Sequence, residues 1–519
     1  MPSGSGTPLH RLVDVSSAVR DTSSRKAKIA LLAACLADLG PAESAAGVAF
    51  LSGAPRQRQT GAGWAALRDL PPPAEQPELT VGEVDAALER LAALAGPGSR
   101  GARLQELDRL LTRATAAEQT FLVALILGDL RQGALAGVMT EAVAQAAAVP
   151  VADVRRAAML GGDLALAAQT ALGEGVEGLR RIRLEVGRPV APMLAGTAAD
   201  VEAALEKMAP AAVEWKLDGA RIQVHRSDGD VRVFTRSLDE VTDRVPEVVA
   251  AALALPVSAI VLDGEAIALR DDGRPHPFQV TASRFASRRD VDGQRRSVPL
   301  TALFFDVLHA DGDDLIDRPA TERFAALAAA VPEPMRVPRT IAETAAEAAA
   351  FLEDALARGH EGVMVKALTE PYAAGGRGGA WLKVKPRHTL DLVVLAAEWG
   401  HGRRHGYLSN LHLGARDESS GGFVMLGKTF KGMTDDILAS QTAALLARET
   451  GRDAMTVYVR PELVVEIAFN DLQASPHYPG GLALRFARVK RYREDKTAQE
   501  ADTIETVRAI YEGQLARGS

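Results

Sequence analysis

Glu214-Trp215-Lys216-Leu217-Asp218-Gly219-Ala220-Arg221 sets a lysine between an apolar run, Ala211-Ala212-Val213, and an alternating stretch, Arg221-Ile222-Gln223-Val224-His225-Arg226. The alternation predicts a strand. Ser227-Asp228-Gly229-Asp230 is a polar turn and Val231-Arg232-Val233-Phe234 returns, so a β-hairpin begins just after the lysine. Gly219 permits a tight turn there, and Lys216 can project from a strand end into a cleft. A lysine is a nucleophile only as the free amine, a form favoured by neighbouring cations and partial desolvation. The alternative for so short a motif is an exposed lysine at a strand end.

Working outward from the hairpin, strands are predicted at 259–269, 300–308 and 362–367, with helices at 321–330 and 344–357 between them, an α+β arrangement. Upstream, residues 8–185 are rich in Ala and Leu at helical spacing, for example Val84 to Leu94 and Ala116 to Leu127. Ser52-Gly53-Ala54-Pro55, Pro71-Pro72-Pro73 and Gly96-Pro97-Gly98 cut this stretch into several helices. The character changes after Gly187-Arg188-Pro189, which places a boundary near 190. Downstream of Pro386-Arg387-His388 come short strands at 390–397, 412–415, 422–426 and 463–469, with one helix at 434–448. That order fits a small β-barrel with an inserted helix. Three units are expected for 519 residues: an all-α part over 1–189, an α+β part over 190–388 and a barrel over 389–519.

The composition, 47% hydrophobic and 24% charged, is that of a globular protein. Cys35 stands alone in the apolar run Ile29 to Leu36 and reads as a buried thiol. No apolar stretch is long enough to span a membrane, and Met1-Pro2-Ser3-Gly4-Ser5-Gly6 lacks a signal pattern, so a reducing cytoplasm is expected. The net charge of -7 argues mildly against a nucleic-acid partner, yet Arg485, Arg488, Lys490, Arg491, Arg493 and Lys496 form a local basic run. Several histidines, among them His401, His405, His412 and His477, lack the paired spacing of a zinc site.

What raises Lys216 above a strand-end lysine is an ordered series after it: Phe234-Thr235-Arg236-Ser237, Leu262-Asp263-Gly264-Glu265, Phe304-Phe305-Asp306-Val307, Glu361-Gly362-Val363-Met364-Val365-Lys366, Trp381-Leu382-Lys383-Val384-Lys385-Pro386 and Arg491-Tyr492-Arg493-Glu494-Asp495-Lys496. In this order the segments resemble the signature of the nucleotidyltransferase superfamily of ATP-dependent DNA ligases, RNA ligases and mRNA capping enzymes. Leu127-Gly128-Asp129-Leu130-Arg131-Gln132-Gly133 resembles a segment of the helical DNA-binding domain of ATP-dependent DNA ligases, and Glu398-Trp399-Gly400-His401-Gly402-Arg403-Arg404 resembles bacterial members. The resemblance spans nearly the whole chain.

It implies an all-α DNA-binding domain, an α+β adenylation domain and a C-terminal OB-fold barrel. Lys216 would take AMP from ATP as a lysyl phosphoramidate, pass it to the 5′-phosphate of a nick in duplex DNA, and the 3′-hydroxyl would displace it. Glu214 would accept from the adenine amino group and Phe305 would stack on the base. Arg221, Arg236 and Arg377 match nucleotide-binding arginines, suited to multidentate phosphate and ribose recognition. Lys383 and Lys385 would reach the α-phosphate from one strand face. Glu265 and Glu361 match positions that bind ribose or a divalent metal, Mg²⁺ or Mn²⁺.

Arg131, Arg485, Arg488, Arg493 and Lys496 would grip DNA or orient pyrophosphate, with Ala487 standing where many relatives carry proline. A monomer is expected. RNA ligases and capping enzymes share Lys216 but do not normally carry such a helical domain. An NAD-dependent ligase typically needs a cysteine zinc cluster, and a binding module that had lost catalysis would have replaced polar positions that are all present here.

Overall fold

The computed structural model describes residues 6–518, apart from 58–59, 97, 131–135, 287–289, 375–376 and 386–387. The first part is helical. Its helices Leu9–Asp21, Arg25–Ala37, Ser44–Leu51, Val81–Ala93, Ser99–Thr112, Ala116–Ile126, Ala136–Ala146, Val151–Gly161 and Leu164–Arg181 share one core that includes Leu12, Leu36, Phe50, Leu88, Leu122 and Val143. Thr80 and Thr115 each close a capping box, with Glu83 and Glu118 respectively, which sets where Val81–Ala93 and Ala116–Ile126 start. Cys35 lies in this core, and burial pushes its thiol up to about 11.

The central part holds β1 (Leu194–Thr197), β2 (Ala211–Lys216), β3 (Ala220–Ser227), β4 (Asp230–Thr235), β5 (Ala259–Ala268), β6 (Leu300–Ala310), β7 (Asp313–Asp314), β8 (Arg339–Ala342), β9 (Gly362–Ala367) and β10 (Arg377–Val384). They form two five-stranded sheets, ordered β1-β10-β9-β2-β8 and β4-β3-β5-β6-β7. The hairpin is present as β3–β4, with Asp228 at φ 52° in its tight turn. The chain leaves the first sheet at Lys216 and enters the second at Ala220, so Lys216 stands where the sheets meet.

Gly219 serves this junction in a way the sequence did not suggest. A Cβ there would lie 2.6 Å from the Ala266 carbonyl oxygen and 2.8 Å from Glu265 Cγ, so glycine is required for the close approach of β5.

The last part contains β11 (His388–Trp399), β12 (Leu408–Asp417), β13 (Gly422–Thr429), β14 (Glu449–Arg452), β15 (Thr456–Val459), β16 (Val464–Phe469), β17 (Asp471–Ala474), β18 (Leu482–Arg485) and β19 (Arg488–Tyr492). β11 is the hub, pairing with β12, β15 and β16, while β17 and β18 form a separate ribbon. The sheet curls as a half-barrel around Leu392, Val394, Leu411, Leu413 and Ile467. The inserted helix is Asp435–Leu446, and a C-terminal helix Ile504–Gly518, which the periodicity did not single out, packs against the ribbon.

The helical part is joined to the centre by more than a linker. Met159, Leu160 and Leu184 share a core with Val190, Met193, Val261, Tyr372 and Trp381, and Arg156 pairs with Asp317 at 2.6 Å. Across the connection, Gly187 N–H donates to His225 Nδ1 at 3.0 Å and Val190 exchanges two hydrogen bonds with the Gln223 amide. His225 Nδ1 is therefore the acceptor and Nε2–H donates to Gln223 Oε1 at 2.8 Å, a neutral ring that burial holds down to about 3.

Candidate active site

Lys216 is the last residue of β2, opposite Gly362 of β9, and its carbonyl accepts from Glu361 N–H at 3.0 Å. Gly362 has φ +143° and a Cβ there would lie 2.2 Å from the Val384 carbonyl oxygen, so only glycine lets β10 come this near. That approach brings Lys385 to Glu361. One carboxylate then bridges two ammonium groups, Oε2 to Lys216 Nζ and Oε1 to Lys385 Nζ.

Burial lowers the pKa of Lys216 despite the opposing charges of Glu265, Asp218 and Asp471. Burial, then the charge of Lys216, pulls Lys385 down to about 8. Both shifts favour a free amine at this junction.

In front of Lys216 lies a cavity of about 790 Å³, lined among others by Glu214, Arg221, Arg236, Glu265, Phe305, Met364, Lys366, Trp381 and Lys383. Glu214 forms its floor. It is 1% exposed, accepts from Arg339 Nε at 2.6 Å, and lies 2.6 Å from Lys366 Nζ. The Lys366 ammonium is itself buried and sits 4.3 Å from the Phe305 ring centre and 4.2 Å from that of Trp381, with the two rings edge to face at 5.8 Å. That contact with Glu214 occupies at most one of the three N–H donors of the ammonium.

Arg221 is held from three sides: Nε and Nη2 on Asp263 at 3.0 and 2.6 Å, Nη1 on the Met193 carbonyl at 2.7 Å, and Nη2 on the Tyr372 hydroxyl at 3.2 Å. Tyr372 in turn donates to Asp263 at 2.7 Å and accepts from Met193 N–H at 3.0 Å. Burial works against its charge, but Asp263 raises the Arg221 pKa further, so the guanidinium is a permanent cation in a fixed orientation. Glu265, deep in the same wall, is pushed up to about 7 by burial against the pull of Lys216 and Arg221.

Seven of the residues singled out from the sequence thus line one cavity: Lys216, Glu214, Arg221, Arg236, Glu265, Phe305 and Lys383. Glu361, Lys385 and Arg485 line an adjoining cleft between the central and C-terminal parts. Arg488, Arg493 and Lys496 line neither. Arg493 Nη1 and Lys496 Nζ both hold Asp391 of β11, at 2.7 and 2.6 Å, and Arg491 pairs with Glu466 at 2.7 Å, so half of the basic run is neutralised within its own sheet. Arg377 begins β10 opposite Leu194, and Arg131 lies outside the described residues.

The sequence assigned no role to Lys366, Asp263, Tyr372, Met364 or Arg339. Lys366 was the detectable one, a lysine ending an otherwise apolar strand, Gly362-Val363-Met364-Val365.

Three family models cover this architecture in order: "DNA ligase N terminus" matches residues 66–144, "ATP dependent DNA ligase domain" 192–385 and "ATP dependent DNA ligase C terminal region" 404–496. A protein called "Probable DNA ligase" from Anaeromyxobacter dehalogenans (strain 2CP-C) is 62% identical over 97% of this chain and 100% of its own length. The chain belongs to the ATP-dependent DNA ligase family. Another relative of the ligase, a "Probable DNA ligase" from Mycolicibacterium gilvum (strain PYR-GCK), is 57% identical over 96% of this chain and 99% of its own. A solved structure described as "Pmar-Lig_PreS3" has the same fold at 18% identity, with a TM-score of 0.59 over 93% of the ligase and 99% of that chain. Among the described residues of the ligase, no helix is long and apolar enough to cross a membrane.

Proposed function

We propose that the ligase seals nicks in duplex DNA through a lysyl-AMP intermediate on Lys216, with units over 1–189, 190–388 and 389–519 acting as DNA grip, adenylation domain and OB-type lid. The observation that carries this reading is the position of Lys216: a half-buried amine with a lowered pKa at the mouth of a cavity shaped and charged for one nucleotide.

ATP enters with its base on Phe305. Glu214, oriented by Arg339, has lone pairs left to accept from the adenine amino group, and Lys366, beside it, would donate to the neighbouring ring nitrogen. A carboxylate beside an ammonium presents an acceptor and a donor, the complement of the amino group and ring nitrogen of adenine. Arg221, clamped by Asp263, and Arg236 sit on the ribose and phosphate side, with Arg377 as a further nucleotide contact. Lys216 Nζ attacks the α-phosphorus while the bond to pyrophosphate breaks, and Lys383 and Lys385 stabilise the charge that builds on the α-phosphate oxygens.

AMP then passes to the 5′-phosphate of the nick, restoring Lys216. The 3′-hydroxyl attacks that phosphorus and AMP leaves. Phosphate contacts from the helical unit, Arg131 among them, and from Arg485 and Arg488 would hold DNA without reading its sequence, while Arg493 and Lys496, paired with Asp391, would brace the sheet behind them.

Glu265 and Glu361 fit a divalent ion only in the manner of Mg²⁺ or Mn²⁺ shared with substrate phosphates. They are two carboxylates beside the lysines, and among the described residues no three metal-binding side chains converge. Such an ion, when bound, supplies electrostatic stabilisation of the phosphate oxygens.

The test is incubation with α-labelled ATP and Mg²⁺, followed by sealing of a nicked duplex with ATP or NAD as the sole cofactor. Acid-labile, alkali-stable label is expected on the wild type and none on Lys216→Ala, with sealing supported by ATP alone. Label persisting on Lys216→Ala would sink the assignment.

A further inference from the structure

Helix Val151–Gly161 of the helical part shares a core with Trp381, which lines the cavity beside Lys216. Near the end of that helix the Met159 carbonyl accepts from Ala191 N–H at 2.9 Å, fixing the helix against the chain that enters the central part. The Met159 side chain reaches further. Its sulfur accepts from Ala374 N–H at 3.1 Å, and Met193 Sδ accepts from Ala373 N–H at 3.5 Å. Two thioethers, one from the helical part and one from the central part, thus hold consecutive backbone donors immediately after Tyr372.

Tyr372 is fixed on its other side as well. Its N–H donates to the Ile316 carbonyl at 3.0 Å, and the Glu370 carbonyl, two residues earlier, accepts from buried Arg323 at 3.1 Å. The Tyr372 ring is buried and meets Trp381 edge to face. A phenol hydroxyl has one donor and two acceptor lone pairs. All of them are used, by Asp263, Met193 and Arg221, so three separate segments set the place of one oxygen. Tyr372 and Arg221 Nη2 also donate to the same Asp263 oxygen, Oδ2, so a displaced hydroxyl takes the guanidinium with it.

We propose that the helical part is a wall of the nucleotide site, with Met159 as a positioning residue. Met159 holds the segment after Tyr372, Tyr372 holds Arg221, and Arg221 is thereby in place for ATP before any DNA is bound. This rests on the reading of Arg221 as a nucleotide contact.

Docking the two parts would need only the apolar contacts of Leu160 and Leu184 and the surface pair of Arg156 with Asp317. Met159 does something else, because its sulfur ends on the chain that carries Tyr372 and not on a surface. A cation that must meet phosphate or ribose in one orientation gains from every contact that fixes it in advance, since the ordering is then not charged to ATP binding.

The experiment follows self-adenylation of the full-length enzyme with α-labelled ATP and Mg²⁺ in the absence of DNA, for wild type, Tyr372→Phe, Met159→Leu and the double variant. Both substitutions nearly keep the side-chain volume, and the label is normalised to folded protein. Tyr372→Phe is expected to raise the half-saturating ATP concentration about tenfold, the scale of a hydrogen bond to a charged group, with the rate at saturation little changed. Met159→Leu is expected to raise it about threefold, as befits a weak sulfur acceptor. The double variant should need no more ATP than Tyr372→Phe alone, because Met159 acts through Tyr372. Wild-type demand for ATP in either single variant, a loss confined to the rate at saturation, or effects that multiply in the double variant would each overturn the proposal. Wild-type demand for ATP in Arg221→Lys would instead overturn the reading beneath it.

Discussion

The cavity beside Lys216 and the basic run of the C-terminal part use the same residue types and treat them in opposite ways. In the cavity, Arg221 is clamped by Asp263 and Tyr372 so that its cation stays on the wall, and Lys366 is buried with donors to spare. In the basic run, Arg493 and Lys496 turn inward and share Asp391, which lies about a hundred residues earlier in the chain. A partner that fixes a charge in place leaves it available to a ligand only when the geometry keeps a face open. The density of basic residues along a sequence therefore says where charge is concentrated and not which charges are free.

The largest effect is expected at the clamp on Arg221. Asp263→Asn keeps the side-chain volume but removes the counter-charge, and is expected to lower self-adenylation about 100-fold with little change in far-ultraviolet dichroism. Activity near wild type would mean that Arg221 needs no clamp.

The matching change in the other region, Asp391→Asn, is expected to act on stability. It leaves Arg493 and Lys496 without their shared counter-charge and should cost about 2 kcal/mol in urea unfolding, whereas self-adenylation normalised to folded protein changes little. Unaltered stability would show the inward pairing to be incidental.

The smallest effect is predicted for Arg488→Ala. Arg488 begins β19, and no partner for its side chain is seen among the described residues. Its loss should weaken binding to nicked duplex evenly across sequences and reduce the slope of log affinity against log salt by about one. An unchanged slope would remove Arg488 from the DNA-facing surface.

Much of the fold was legible before the structure. The β3–β4 hairpin, the strands β5, β6 and β9, the helices Ala320–Ala330 and Ala345–Ala357, and the four barrel strands first recognised all lie within a few residues of where periodicity places them. Short elements were not legible: β14, β15, β17, β18 and β19 are four or five residues each, too brief for a period to declare itself against the background of loops. At the site, the lysine segment and the ordered series after it supplied seven residues of one cavity, while Asp263, which stands inside one of the quoted segments, was passed over because its duty is to another side chain.

By itself the sequence determined the order of a helical, a mixed and a strand-rich part, and it singled out residues that the structure gathers around Lys216. These depend on neighbours within a turn or a strand, or on an ordered pattern that any single chain displays. Only the tertiary structure decided that Glu361 bridges Lys216 and Lys385, that Lys366 shares the floor of the cavity with Glu214, and that Arg493 and Lys496 are spent on Asp391. The reason is physical. A charged group removed from water must find its partner wherever the packed chain supplies one, and that choice is made across a hundred residues at a time, beyond the reach of any local rule.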